Sequence, residues 1–407
     1  MDVTTTHRTP PATCCIIGGG PAGIMLGFLL ARSGVPVTVL EKHKDFFRDF
    51  RGDTIHPSTL ELLYELGLLE KLLALPHSQV TGLSAIVGGQ RMVMSDFSHL
   101  PTHAKFVALM PQWDFLNFLS TEASRFPNFT IRMGWEATGL LQQNGVTTGV
   151  VANTPDGPVE IPATLTVGCD GRHAISRQAA HLPLFDFGVP IDILWLRIAR
   201  QPGDPENALG YVNYGRFIIL INRNDYFQVG YLIPKDTFPQ IQQAGLPAFQ
   251  QGIERIVPFL ANRTAEIDSW DKVKLLTIQV NHLTQWSEPG LLCIGDAAHA
   301  MSPVGGIGIN IALQDAVATA NLLTEALLSN ALTEHHLRQV QQYRESAVHN
   351  TQRAQVFAHR ILRHVLSRTD PIQAPLPLRI LTHIPGFKYL AGRFIGMGLQ
   401  PEHIKNF

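Results

Sequence analysis

Six residues near the start of the chain, Gly18-Gly19-Gly20-Pro21-Ala22-Gly23, have the spacing of a GxGxxG turn. The chemistry this turn serves is the binding of a pyrophosphate. Gly18 permits the tight bend, Gly20 lets the phosphates approach the backbone, and Gly23 lets the following helix lie close to the preceding strand. The N–H groups and positive dipole end of that helix, which Pro21 and Ala22 begin, then face the anion. Glu41 follows 18 residues after Gly23, near the spacing of about 20 at which an acid accepts hydrogen bonds from adenosine ribose hydroxyls. Lys42 beside it is a further cofactor-binding candidate. An ordinary glycine turn in an α/β sheet leaves Glu41 unexplained. The motif by itself does not separate a nicotinamide from a flavin dinucleotide.

Such a turn works only between a strand and a helix, and the flanking residues supply both. Residues 12–17 are an apolar run suited to a buried parallel strand, 22–33 are continuously helical in pattern and end at Gly34, and 35–40 read as the next strand. Together they make a right-handed βαβ unit. A helix opens at Pro57 with leucines at 60, 63, 66 and 69 on one face, and short alternating pieces over 78–110 predict antiparallel strands. A helix over 112–125 returns to strands at 129–133 and 136–167, with Asn144-Gly145 as a hairpin turn. A β-rich block covers 185–233, helical segments 236–261, strands 271–282 and 291–295, and helix 308–368. The pattern predicts an α/β fold in which a nucleotide domain (1–76, 101–184 and 271–368) is interleaved with a mostly antiparallel second domain (77–100 and 185–270), followed by a C-terminal helical tail (369–407).

The 407 residues carry a net charge of −1 and are 45% hydrophobic. At about 150 residues per domain that is two to three domains with substantial cores. Near-neutrality removes the global electrostatic case for nucleic acid or an anionic membrane. Four cysteines without CxxC spacing read as reduced core residues. No signal peptide and no apolar run long enough for a transmembrane helix is found, so a cytoplasmic location is the expectation. Seventeen histidines include no HExxH or equivalent spacing, so no metal is expected, and no serine sits in a GxSxG elbow.

A second cluster far downstream decides the cofactor. Residues 291–299 read LLCIGDAAH and 302–310 read SPVGGIGIN; with VGCDGRHAISRQ at 167–178 and Arg51-Gly52, this resembles the single-component FAD-dependent aromatic hydroxylases, the family of p-hydroxybenzoate hydroxylase. The resemblance runs in the family's order to about residue 360. It implies a Rossmann-like FAD-binding domain. Asp296 would hydrogen-bond the ribityl chain, and Pro303, Gly305, Gly306 and Gly308 would run along the flavin ring. Ile309 and Asn310 begin a helix whose N–H groups meet the pyrimidine edge. Arg51 would lie between pyrophosphate and active site, Gln112 would touch FAD, and Asp170 and Arg172 would lie near the pyrophosphate and the NADPH or NADH. One departure is Ile307, where the family usually has Gln or Lys. His299 reads as structural.

The implied reaction is monooxygenation: NAD(P)H reduces FAD, O2 forms a flavin C4a-hydroperoxide, and one oxygen atom passes to a small or polycyclic phenol-like aromatic. Related flavoproteins, such as a quinone-ring hydroxylase, an isoprenoid reductase or a halogenase, are the alternative. The halogenase is disfavoured because Trp195 stands without the second tryptophan of WxWxIP. For the substrate pocket, residues 211–234 resemble the family's lining strands. They nominate Tyr211 to orient and deprotonate a phenol, Asn222 and Gln228 to hold its polar group, and His56, with Asp53, at the flavin face. Arg216 and Arg223 are offset from the family's carboxylate-binding arginine, which disfavours a simple benzoate. The apolar tail either crosses the substrate entrance or forms a homodimer contact; the residues do not choose between them.

Overall fold

The apolar run at the N-terminus becomes the strand Ala12–Ile17, and the glycine turn passes it into the helix Pro21–Arg32 and the strand Val37–Glu41. The structure is a computed structural model that describes residues 7–8, 12–47, 54–205, 209–374, 376–384 and 386–405. The strand Ala12–Ile17 lies between Val37–Glu41 and the second half of Gly157–Gly168, all parallel. Phe129–Met133 extends the sheet on one side and Leu291–Cys293 on the other, also parallel. The first half of Gly157–Gly168 continues into an antiparallel meander with Val146–Thr154 and Glu136–Gln143. Asn144 and Gly145 both have positive φ (51° and 78°), the conformation of a type I′ hairpin turn.

The helix Pro21–Arg32 is buried on almost every residue because it lies between this sheet and the helix Gly308–Leu328. That explains why it reads as apolar all round rather than amphipathic. The expected helix over 308–368 is two helices, Gly308–Leu328 and Glu334–Leu366. Thr333 caps the second, with the His336 ring nitrogen accepting the Thr333 N–H at 3.1 Å. The helical stretch at 236–261 is likewise divided, at Gly245, into Phe238–Ala244 and Leu246–Ile256.

The second domain is a seven-stranded sheet whose strands come from three separate stretches: Gly82–Val87 and Gln90–Asp96, four strands from Ile191 to Pro234, and Lys274–Leu276. The last of these pairs with Ile191–Ala199, so the sheet reaches past the expected boundary at 270. One face of this sheet, the outer face, packs on Leu246–Ile256 through Leu194, Leu196, Tyr211, Ile218, Leu220 and Tyr231. The inner face carries Ile193, Trp195, Phe217, Ile219, Ile221 and Leu232, and the long helix Glu334–Leu366 covers part of it with Val356, Leu362 and Leu366. The tail forms two helices, Leu376–His383 and Phe387–Met397. Among the described residues no helix is long and apolar enough to cross a membrane, and no cluster of His, Cys, Asp and Glu could hold a metal ion.

Candidate active site

The glycine turn is shaped by close approach. Gly18 has φ +105°, and a Cβ there would lie 2.5 Å from the Cys169 carbonyl oxygen; a Cβ on Gly23 would lie 2.0 Å from the Gly18 carbonyl oxygen. Both positions therefore exclude any side chain. Gly20 differs: a Cβ there meets nothing within 4 Å, and no side chain caps the helix that starts beside it. An open backbone with uncapped N–H groups fits a pyrophosphate. Glu41 completes the turn, its Oε2 accepting the Gly19 N–H and its Oε1 the His43 N–H, each at 3.0 Å. These bonds orient a carboxylate with further acceptor capacity for ribose hydroxyls. Lys42 is exposed next to it.

Asp170 runs past Gly18 by its backbone, but its carboxylate accepts the Ser176 N–H at 3.0 Å and the Ser176 hydroxyl at 2.7 Å. Burial raises its pKa. The Asp170 side chain is thus a structural clamp on the helix Ile175–Ala179, and only its main chain borders the glycine turn. Asp296 stands in the turn Gly295–Ala297 and is a third exposed, with its Oδ2 3.3 Å from Arg172 Nε. Gln112 opens the helix Gln112–Ala123, half-buried. Arg51 and Asp53 lie outside the described residues.

The second glycine cluster is held from both sides. Gly305 and Gly306 have φ of +82° and +65°. Thr54 Oγ1 donates to the Gly306 carbonyl at 2.9 Å, and Asn310 Nδ2 donates to the carbonyls of Thr54 and Gly306 at 3.2 Å each. Asn310 Oδ1 accepts the His56 N–H at 2.9 Å and the Thr59 hydroxyl at 2.8 Å. With its side chain fully engaged, Asn310 fixes the loop, and no side chain caps the start of Gly308–Leu328. Pro303 and Ile309 flank this loop, partly buried. Ile307 is buried in the core of the nucleotide domain, which explains an apolar residue where a polar one is usual.

From the other side, Gln355 accepts the Ser302 N–H at 3.0 Å and donates to the Ser302 and Val304 carbonyls at 3.1 and 3.3 Å. His359 Nε2 lies 2.7 Å from Ser302 Oγ. The helix that carries Gln355 and His359 also covers the inner face of the second sheet. That face therefore lies on the side of the glycine loop.

Strand alternation then corrects the pocket residues. Tyr211 pairs with Ile218, and Asn222 with Phe227, all on the outer face beneath Leu246–Ile256. Tyr211 lies 6.3 Å from the Phe259 ring, and burial raises its phenol pKa, the reverse of what deprotonating a substrate requires. Asn222 Oδ1 accepts the Asn224 N–H at 2.9 Å, closing the hairpin turn. His56 is also reassigned: its Nδ1 contacts the Ile395 carbonyl at 2.7 Å, hooking the tail helix, and burial lowers its pKa to about 4.

Gln228 pairs with Ile221 and Arg197 and is on the inner face, buried. Its Oε1 accepts both Arg223 Nε and Nη2 at 3.1 Å. Arg223, set aside by spacing, is thus brought to the inner face, while Arg216 donates to the Tyr231 hydroxyl at 2.8 Å on the outer one. Ile221 packs on the apolar cluster that contains Leu109 and Met397, and Leu109 pairs with Thr54, the residue that holds Gly306. The Gln228–Arg223 pair and the glycine loop therefore border the same region.

Three further charged residues, Asp315, Arg344 and Glu402, escaped the motif reading. Asp315 Oδ2 lies 2.6 Å from His299 Nε2 and accepts the Gly295 N–H at 3.2 Å. Its Oδ1 accepts Arg344 Nε at 3.0 Å, and Arg344 Nη1 reaches Glu402 Oε1 at 2.8 Å. The available signal was an aspartate at a core position of an apolar helix.

The FAD binding domain family model matches residues 11–354. The 6-methylpretetramide 4-monooxygenase of Streptomyces rimosus is 30% identical, over 99% of this chain and 97% of its own length. Among solved structures, the anhydrotetracycline hydroxylase of Streptomyces rimosus superposes with a TM-score of 0.74 at 20% identity, covering 97% of this chain and 77% of that one. A probable FAD-dependent monooxygenase of Pseudomonas aeruginosa, PqsL, gives 0.74 at 20% identity, with coverage of 88% and 99%. With the glycine turn, the Asp296 turn and the Gly305-Gly306 loop in one arrangement, the chain belongs to the FAD-dependent aromatic monooxygenases of the p-hydroxybenzoate hydroxylase type.

Proposed function

We propose that this protein uses NADPH or NADH and O2 to place one oxygen atom on a phenol-like aromatic ring, and that the substrate is polycyclic, a reading supported by the name of the 30% identical 6-methylpretetramide 4-monooxygenase. FAD, when bound, supplies the electron transfer and oxygen activation. Glu41 would hold the adenosine ribose, and Asp296 the ribityl hydroxyls. The helices starting at Pro21 and Gly308 would direct N–H groups at the pyrophosphate and at the pyrimidine edge, where negative charge develops on reduction.

The observation that carries the substrate reading is the inner face of the second sheet. Phe217, Ile219, Ile221 and Leu232 make it apolar, and the Gln228–Arg223 pair gives one polar end. The apolar residues would exclude water from the reacting region, and the polar pair would orient the ring by an oxygen substituent. Screening phenols and polycyclic aromatics for stimulated NAD(P)H oxidation, with product mass under labelled O2, tests the reading. A product without label from a substrate that stimulates oxidation would overturn it in favour of a reductase or halogenase.

A further inference from the structure

The near-neutral chain conceals a strong local asymmetry. Between residues 346 and 401 there are seven Lys and Arg and a single acid, Asp370, so this stretch has a net charge of +6 in a chain of −1. From 371 to 401 there is no acid at all. The same stretch holds a concentration of exposed large apolar side chains. The helix Leu376–His383 turns its aliphatic stripe outward: Leu376 is 65% and Ile380 56% exposed, and Ile384, four residues on, is also exposed. Arg379 and His383, exposed, flank the stripe. Leu390, 69% exposed, stands on the adjoining helix Phe387–Met397 beside exposed Arg393. Phe357 and Ile361 stand one turn apart on the end of Glu334–Leu366, with Arg360 and Arg363 exposed between and after them. These helices adjoin: Val365 and Leu378 pack on one cluster with Ile372.

The helix rests on its neighbours through Leu378, but its apolar stripe of Leu376, Ile380 and Ile384 faces away from the protein core and is left exposed among the described residues. We propose that this C-terminal face docks on an anionic lipid bilayer surface, the aliphatic side chains entering the headgroup boundary and the arginines meeting lipid phosphates. Aliphatic residues flanked by arginines on an outward helix face are what an interfacial helix requires. A second copy of the chain is the poorer occupant, because a two-fold contact would set this positive surface against itself.

The test uses full-length holoenzyme and sedimentation with vesicles of phosphatidylcholine alone or with about 30 mol% phosphatidylglycerol. The expected result is at least about tenfold more protein on the anionic vesicles, reversed by about 0.5 M salt. Ile380→Ser with Ile384→Ser should abolish that binding while FAD content and NAD(P)H oxidation stay unchanged. Equal binding to both vesicles, binding that survives the double substitution, or a wild-type dimer that these substitutions convert to monomer would each overturn the proposal.

Discussion

Asp315 Oδ2 lies 2.6 Å from His299 Nε2, and neither residue is exposed to solvent. Burial alone would raise the Asp315 carboxyl, but His299 and Arg344 beside it hold it below the usual carboxylate range. The same oxygen receives the Gly295 N–H, the residue before Asp296. The charge pair thus sets the turn that presents Asp296, and Arg344 links it to Glu402 in the tail.

Asp315→Asn leaves His299 and Arg344 facing a neutral amide at a buried site. Breaking one partner of a buried ion pair costs about 3–5 kcal/mol. The expected outcome is a large fall in thermal stability together with loss of FAD on gel filtration. Wild-type flavin content in the variant would refute the link between this pair and the Asp296 turn.

The glycines of the first turn divide into two kinds of variant. Gly23→Ala forces a Cβ to 2.0 Å from the Gly18 carbonyl oxygen and should disrupt the strand–helix junction itself, lowering the yield of folded protein. Gly20→Ala meets no protein atom within 4 Å; it should fold with unchanged circular dichroism and bind FAD at least about tenfold more weakly, because its methyl group occupies space intended for phosphate. Isothermal titration of the apoprotein distinguishes them.

Tyr211→Phe should leave turnover of a phenolic substrate unchanged, since the hydroxyl is on the outer face of the sheet. Gln228→Leu removes the acceptor for two Arg223 hydrogen bonds. It should keep FAD yet divert a larger share of NAD(P)H consumption to peroxide, by about tenfold if one oriented hydrogen bond to substrate is lost. The ratio of product to NAD(P)H oxidised is the measurement, and equal ratios would remove Gln228 from the pocket.

Stability should fall on acidification below neutrality. Burial lowers the pKa of His56 to about 4 from an ordinary 6.5, and burial has the same effect on His359. Between those values the unfolded chain binds more protons than the folded one, so stability present above pH 6.5 is lost as the pH falls toward 4. Full protonation mismatch at His56 amounts to about 3 kcal/mol. Melting temperatures at pH 7 and pH 5 should show the loss, and His56→Asn should flatten part of it.

Local chemistry was legible where it depends on residues close in sequence. The glycine turn, the Asn144-Gly145 hairpin and the βαβ unit rest on steric rules that act over a few residues. The side on which Tyr211 points does not. A one-residue change of register exchanges the two faces of a strand, and here the register is set by the turn Tyr214-Gly215, with φ of 48° and 67° and Asn213 opposite Arg216. A tyrosine in that conformation is uncommon, so the two-residue turn did not announce itself. The Asp315–Arg344–Glu402 chain joins residues far apart in sequence and follows no motif. Net charge does not reveal the basic end for a simpler reason, since a sum over the whole chain cancels residues 346–401 against an acidic remainder.

The way the two sheets share the chain has a consequence for biosynthesis. The strand Ala12–Ile17 leaves the ribosome early, yet the parallel sheet gains its edge strand only with Leu291–Cys293, and the helix it packs against is not buried until Gly308–Leu328 arrives. Glu402, which completes the charge chain behind Asp296, follows Leu291–Cys293 by about 110 residues and must also be made before that charge chain can form. The nascent protein must therefore carry an apolar helix that is incompletely covered until residue 308 has been passed, and non-local pairings of this kind form slowly. Expression at low temperature with added riboflavin and abundant chaperone is the condition this topology favours.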